Sequence, residues 1–341
     1  ATDLFFIYMI CLFLLCHIFV CITSLLPSGS FSEKMCFPFA ISGLFLYTEK
    51  QRHFLRRFFM KLVDLHVHST CSDGTLTPSE LVSLAKKTGL SAFALTDHDT
   101  VKGLPEAMEA GKEEGIEVLP GIEFSTEYKG KDIHIVGLEF DPESPVFLTE
   151  IRHFQDSRLL RNRKMIEKLH DEGGIDISWE QMQEAFGEAV WTRAHFARYL
   201  LDHHYIKTMQ EAFTRYVGDT CPYFVPREKV TPGQAVRLIR KTGGIPVLAH
   251  PLQYHLSDEE LRHLVRTLKK DGLIGVEALY STHTQMDESY VRRLARTEGI
   301  LISGGSDFHG SNKPAISLGT GRGNLKISYD ILTNLREARK K

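Results

Sequence analysis

From residue 62 onward, short apolar stretches alternate with helical ones, and the apolar stretches keep ending in histidine or carboxylate. In Leu62-Val-Asp-Leu-His-Val-His68, apolar and polar residues alternate with the period of a half-buried strand. Successive strand side chains face opposite ways, so His66 and His68 share a face, about 7 Å apart along the strand. Thr77-Pro-Ser-Glu80 is a capping box with proline at the first helical position, and the helix it opens stops at Gly89. The strand at 91–96 runs into Asp97-His98-Asp99, and a helix over 104–114 ends at Gly115. A third strand covers 116–124, and a hairpin turn at 129–132 leads into a fourth at 133–138. Further strands at 244–250, 274–279 and 300–307 each follow a helix. This rhythm predicts an α/β fold with a parallel sheet or barrel of about seven strands.

The rhythm breaks at 146–226, where helical patterns at 147–171, 179–185, 193–204 and 209–217 follow one another without a strand. A small helical insertion is expected there, dividing a barrel at 60–145 and 227–341. Upstream, residues 5–26 are almost wholly apolar, with His17 as the one acidic or basic side chain, and are long enough to span a bilayer. Lys34, Lys50, Arg52, Arg56 and Arg57 follow, so a genuine span would leave the body in the cytoplasm. Because Met60-Lys61 directly precedes the first strand, residues 1–59 read rather as an upstream extension, and membrane contact is expected only if 5–26 is a genuine span. Of six cysteines only Cys71 and Cys221 lie in the body, which is no disulfide framework and fits a reduced, cytoplasmic protein. A formal net charge of −2 gives no reason to expect a broad basic surface for long nucleic acid.

The groups at the strand ends are His66, His68, Asp73, His98, Glu123, His134, His250, Asp307 and His309. In βα barrels reacting groups gather at the carboxyl-terminal rim. Mixed imidazole and carboxylate ligands suit Zn, Mn or Fe and argue against Ca or a thiolate-bound cluster. Nine candidate ligands exceed the needs of one ion, so two or three divalent ions are expected. Paired ions fit hydrolysis at phosphorus, with Glu123 a candidate bridge.

His66-x-His68, Thr96-Asp-His98-Asp99, Gly121-Ile-Glu123, His134, Ala249-His250-Pro and Ser306-Asp307-Phe-His309 occur in an order that resembles the polymerase and histidinol phosphatase (PHP) family. The resemblance covers Met60 to about Asn324 and implies a distorted (β/α)7 barrel. The helical insertion is similar to that of bacterial phosphoesterases acting on nucleoside 3′,5′-bisphosphates and short 5′-phosphorylated RNA. By that likeness one ion takes His66, His68, Glu123 and Asp307, and a second takes Asp73, His98 and Glu123. His134, His250 and His309 hold a third ion or bind phosphate. The implied reaction is attack of a metal-bridging hydroxide on a phosphate monoester. Asp73, His98, Glu123, His250 and His309 are the catalytic candidates, and a histidine or aspartate protonates the leaving alkoxide. The expected partner is a small phosphorylated nucleotide or short oligonucleotide. Rival readings are a histidinol-phosphate phosphatase, a non-catalytic or proofreading-type PHP module, and an amidohydrolase.

The insertion adds one further expectation. Arg193 and His195 are expected to face the metals as substrate-binding residues, since guanidinium geometry matches phosphate, with a structural role in the helix start as the alternative. Arg158, Arg161 and Arg163 read as a solvated helix face.

Overall fold

The computed structural model describes residues 61–227 and 230–340. Seven strands form one sheet in chain order: β1 (Leu62–Val67), β2 (Leu90–Leu95), β3 (Glu117–Tyr128), β4 (Lys131–Leu138), β5 (Ile245–Leu248), β6 (Gly275–Tyr280) and β7 (Leu301–Gly305). The sheet curls until its edges meet. The His68 amide donates to the Phe308 carbonyl at 3.0 Å and the Asp307 amide to the His66 carbonyl at 2.9 Å. A Cβ on Gly305 would stand 2.2 Å from the His66 Cβ, so only glycine lets the end of β7 lie this close to β1. The result is the expected nearly closed, distorted barrel.

Strand direction departs from a uniform parallel rhythm at one place. β4 follows β3 through the hairpin and runs antiparallel to both β3 and β5, whereas the other neighbouring pairs are parallel. His134, expected at a strand end, therefore lies within β4, opposite Ser125 of β3. Reversal brings the early part of β4, rather than its end, to the rim where the other strands finish.

Helices α1 (Pro78–Lys87), α2 (Leu104–Glu114), α7 (Pro232–Lys241), α8 (Asp258–Asp271), α9 (Gln285–Glu298) and α10 (Tyr329–Arg339) surround the barrel. Both bonds of the Thr77–Glu80 capping box form at α1. Gly115, at φ 73°, ends α2 in a left-handed turn that a side chain would strain. Barrel packing is apolar, with Leu81, Phe93, Leu95, Ile122, Phe124, Ile135, Ile239 and Val276 buried in one cluster.

Between β4 and β5 lie α3 (Pro145–Asp171), α4 (Trp179–Phe186), α5 (Arg193–Asp202) and α6 (Met209–Arg215). The first half of α3 belongs to the barrel: Phe154 packs on Phe124 with ring centroids 4.5 Å apart, and Phe147 on Phe140 at 4.7 Å. Its second half enters a separate core with Ile177, Met182, Trp191, Phe196 and Leu200. Helix α3 thus ties the helical layer to the barrel. Among the described residues no helix is long and apolar enough to cross a membrane. The apolar stretch at 5–26 lies outside them.

Candidate metal centre

The nine groups expected at strand ends come together, with the Glu123 carboxylate at their middle. Glu123 lies within β3, 1 % exposed. Its Oε2 stands 3.2 Å from His66 Nε2, 3.2 Å from His68 Nε2 and 3.1 Å from His98 Nδ1. Its Oε1 stands 2.8 Å from His134 Nδ1 and 2.9 Å from His250 Nε2. On one flank, Asp307 Oδ1 is 3.4 Å from His68 Nε2 and 3.3 Å from His309 Nδ1. On the other, Asp73 Oδ1 is 3.2 Å from His309 Nε2, and Asp73 Oδ2 is 3.8 Å from His98 Nε2.

Four groupings have ligand atoms close enough to share an ion: His66–His68–Asp307; His68–Asp73–His98–His309; His98–Glu123–His134; and His66–Glu123–His250. The first two resemble the expected pair of sites. The expected third set does not assemble as one group. His309 sides with Asp73 and His98, whereas His134 and His250 meet on Glu123 from β4 and the end of β5.

The donor set fits divalent cations. His66 Nε2, both ring nitrogens of His68 and Nδ1 of His250 are buried and have no hydrogen-bond partner among the described residues. Buried polar atoms are almost always satisfied, so several orphans converging on carboxylates mark positions where a cation completes the bonding. Charge agrees. Burial alone would raise the Glu123 carboxyl, but His98, His66 and His134 outweigh it and hold it well below the usual range. Burial likewise opposes ionisation of Asp73, which His309 and His98 reverse, and of Asp307, which Lys313 and His309 reverse. Three carboxylates are thus held towards the ionised form in a buried site.

Backbone strain gathers here too. His250 and Asp307 have φ of 22° and 55°, and Asp99 49°. Left-handed backbone at non-glycine residues is costly and persists where surrounding contacts impose it. A hydrogen bond from the His250 amide to Glu277 Oε2 at 2.7 Å is one such contact.

Glu277 is a functional residue that sequence reasoning missed. It lies in β6, 1 % exposed, and its Oε1 accepts from His66 Nδ1 at 2.8 Å. That bond directs the His66 Nε2 lone pair inward, the usual arrangement behind a ligating imidazole. The available signal was a lone glutamate inside Ile274-Gly-Val-Glu-Ala-Leu279. Tyr280 and Lys313 were missed as well. The Tyr280 hydroxyl and Lys313 Nζ both donate to Asp307 Oδ2 at 2.6 Å, leaving Oδ1 to the histidines. The acids flanking His98 are structural. Asp97 accepts from the hydroxyls of Ser69 and Ser72, each at 2.6 Å. Asp99 pairs with Arg158 at 2.8 Å and with Arg227.

Above the cluster opens a cavity of about 520 Å³. Its floor includes Asp73, His98, Glu123, His134, His250 and Asp307, and its wall includes Arg158, Arg161 and Arg193. The solvated-face expectation fails for Arg158 and Arg161. Each is 4 % exposed, because α3 lies against the rim with these residues on its inner side. Arg163 is exposed as expected, stacked on Trp179 at 4.6 Å.

Arg193 borders the cavity, but its charge is already balanced by Asp132 at 3.1 Å and Asp219 at 2.5 Å. His195 does not face the metals. It is the third residue of α5, and its Nδ1 accepts from the Thr192 amide at 2.9 Å in a capping box. Burial lowers its pKa to about 4, so the ring stays neutral as that role requires. The residue that reaches the cluster from this turn is Thr192, whose hydroxyl donates to Asp73 Oδ2 at 2.7 Å.

Residues 64–221 match the family model of the PHP domain. A 5′-3′ exoribonuclease of Haemophilus influenzae is 38% identical over 252 residues, covering 73% of this chain and 90% of that protein. The chain belongs to the PHP domain family. A 3′,5′-nucleoside bisphosphate phosphatase of Chromobacterium violaceum is 34% identical over 250 residues, 73% of this chain and 88% of that one. Among solved structures, an amidohydrolase of Chromobacterium violaceum with bound sulfate and no metal superposes with a TM-score of 0.72 at 32% identity. That likeness covers 81% of this chain and 96% of the other. As a PHP protein, the chain has relatives that are hydrolases of phosphate esters by name.

Proposed function

We propose that this PHP protein is a metal-dependent phosphoesterase that removes phosphate from small nucleotides, nucleoside 3′,5′-bisphosphates or short 5′-phosphorylated RNA. The observation that carries the reading is the Glu123 cluster, in which orphaned imidazole nitrogens face ionised carboxylates below a cationic cavity wall. Two or three ions of Mn, Zn or Fe type would be held, with His66, His68 and Asp307 as the ligands for one, Asp73, His98 and His309 for another, and Glu123, His134 and His250 completing the donor set. Bound ions supply Lewis-acid polarisation of phosphoryl oxygens and neutralise developing charge.

The chain's own residues do the rest. Glu277 fixes the His66 ring, and Tyr280 and Lys313 fix Asp307. His250 and His309 border the cavity, and whichever of them is not spent on an ion would hand a proton to the leaving oxygen. The helices of 146–226 act as a lid, and Thr192 ties that lid to Asp73. An amidohydrolase reading would place a lysine at a strand end. The lysine beside this cluster, Lys313, instead follows β7 in a loop and pairs with Asp307. Cys71 and Cys221 are free, which supports a reduced, cytoplasmic setting.

The test is phosphate release from adenosine 3′,5′-bisphosphate, a short 5′-phosphorylated RNA and histidinol phosphate, side by side and with and without chelator. Faster turnover of the nucleotide substrates, lost on chelation, is expected. Preference for histidinol phosphate would replace the nucleotide assignment.

A further inference from the structure

Four guanidiniums gather at the cavity wall and behind it: Arg158, Arg161, Arg193 and Arg227. Asp99 answers Arg158 and Arg227, and Asp132 and Asp219 answer Arg193. Among the described residues Arg161 has neither an ion pair nor a side-chain hydrogen bond, although it is 4 % exposed and borders the cavity. Its Nε is buried without a partner. Asp132 attracts it only from beyond ion-pair distance and is itself engaged by Arg193. Arg158, one turn earlier on α3 and on the same face, adds like-charge repulsion.

A cation taken out of water without a counter-ion weakens the fold, and such groups are ordinarily paired. Among the described residues no carboxylate lies within ion-pair distance of Arg161, and the cavity, whose opposite side is the candidate metal cluster, gives an anion access to it. The planar fork of an arginine binds phosphate through two parallel hydrogen bonds, as a lysine cannot.

We propose that Arg161 receives the uncleaved phosphate of a doubly phosphorylated nucleotide while the phosphate to be cleaved lies against the Glu123 cluster. This rests on the phosphoesterase reading and makes α3 the element that selects between singly and doubly phosphorylated substrates. Arg158, held by Asp99 Oδ2 and by Ser125 Oγ at 2.6 Å, braces the adjoining turn. Arg193, its single charge answered by Asp132 and Asp219, frames the mouth.

The experiment compares the full-length chain with Arg161→Met and Arg161→Lys on adenosine 3′,5′-bisphosphate and on adenosine 5′-monophosphate. Loss of a charge-assisted hydrogen-bonding group should lower kcat/KM on the bisphosphate about 10- to 100-fold in Arg161→Met. The loss on the monophosphate should be at least ~10-fold smaller, and Arg161→Lys should recover part of the difference. Without ligand, Arg161→Met should melt at or above the wild-type temperature, because an uncompensated buried charge has gone. The rise in melting temperature on adding bisphosphate should shrink. Equal fractional losses on both substrates, or a lower melting temperature in Arg161→Met, would overturn the proposal, since Arg161 would then grip the reacting phosphate or hold α3 in place. A wild-type chain that releases phosphate from neither substrate would overturn the phosphoesterase reading instead. The bisphosphate-induced melting shift would still decide the role of Arg161.

Discussion

Replacing Glu277 with glutamine should damage the metal centre although Glu277 is not itself placed to bind an ion. Its two carboxylate oxygens face two buried donors, His66 Nδ1–H at 2.8 Å and the His250 amide at 2.7 Å. A glutamine of the same shape offers one acceptor oxygen and one NH2 group. If its oxygen serves His250, the NH2 faces His66 Nδ1. The imidazole must then become an acceptor there, which moves its proton to Nε2 and removes the lone pair now aimed at the cluster. If the oxygen serves His66, the His250 amide loses its acceptor at a residue already held at φ 22°. A buried donor left without a partner costs about 1–3 kcal/mol. Loss of an orienting carboxylate behind a ligating histidine typically costs about 10- to 100-fold in metal affinity. The assay is titration of the metal-stripped variant with Mn or Zn by calorimetry, alongside thermal melting of the metal-free chain. Metal affinity and melting temperature both unchanged from wild type would refute the reasoning and make Glu277 a bystander.

Asp99→Asn should lower the stability of the metal-free chain by roughly 3–5 kcal/mol, because it leaves Arg158 and Arg227 facing a neutral group in a buried site. Asparagine tolerates the φ of 49° at this position, so chemical denaturation reads the charge rather than the backbone, and a loss under ~1 kcal/mol would contradict the account. His195→Ala should cost about 1–3 kcal/mol by leaving the buried Thr192 amide without its acceptor, with metal content retained. A raised KM with unchanged stability would restore His195 to the substrate site.

The candidate metal centre was legible in the sequence because its candidate ligands are tied to local patterns. Alternation in β1 puts His66 and His68 on one face, and His98, His250, Asp307 and His309 each follow an apolar strand. His134 was found as a residue but misplaced, since the hairpin turn signals a reversal without saying how deep into β4 the rim falls. What could not be read was whatever depends on distant partners. Arginines spaced three and five apart on a polar helix resemble a solvated face. What buries Arg158 is Asp99, 59 residues earlier, and the buried Arg227 lies 128 residues after that same carboxylate. Glu277 was hidden for a related reason: within β6 nothing local distinguishes a glutamate supporting His66, 211 residues away, from one facing solvent. His195 misled in the other direction. Thr192 and His195 carry a local capping signal, and local capping is what the structure shows.

The central claim is that the groups around Glu123 form one multinuclear centre, and metal stoichiometry tests it most directly. Elemental analysis of the purified chain, with phosphatase activity followed through chelation and metal restoration, should find more than one equivalent of Mn, Zn or Fe. Glu123→Gln should lower that number, because two of the four ligand groupings contain Glu123. One equivalent or none in a fully active chain, with activity surviving chelator, would contradict it.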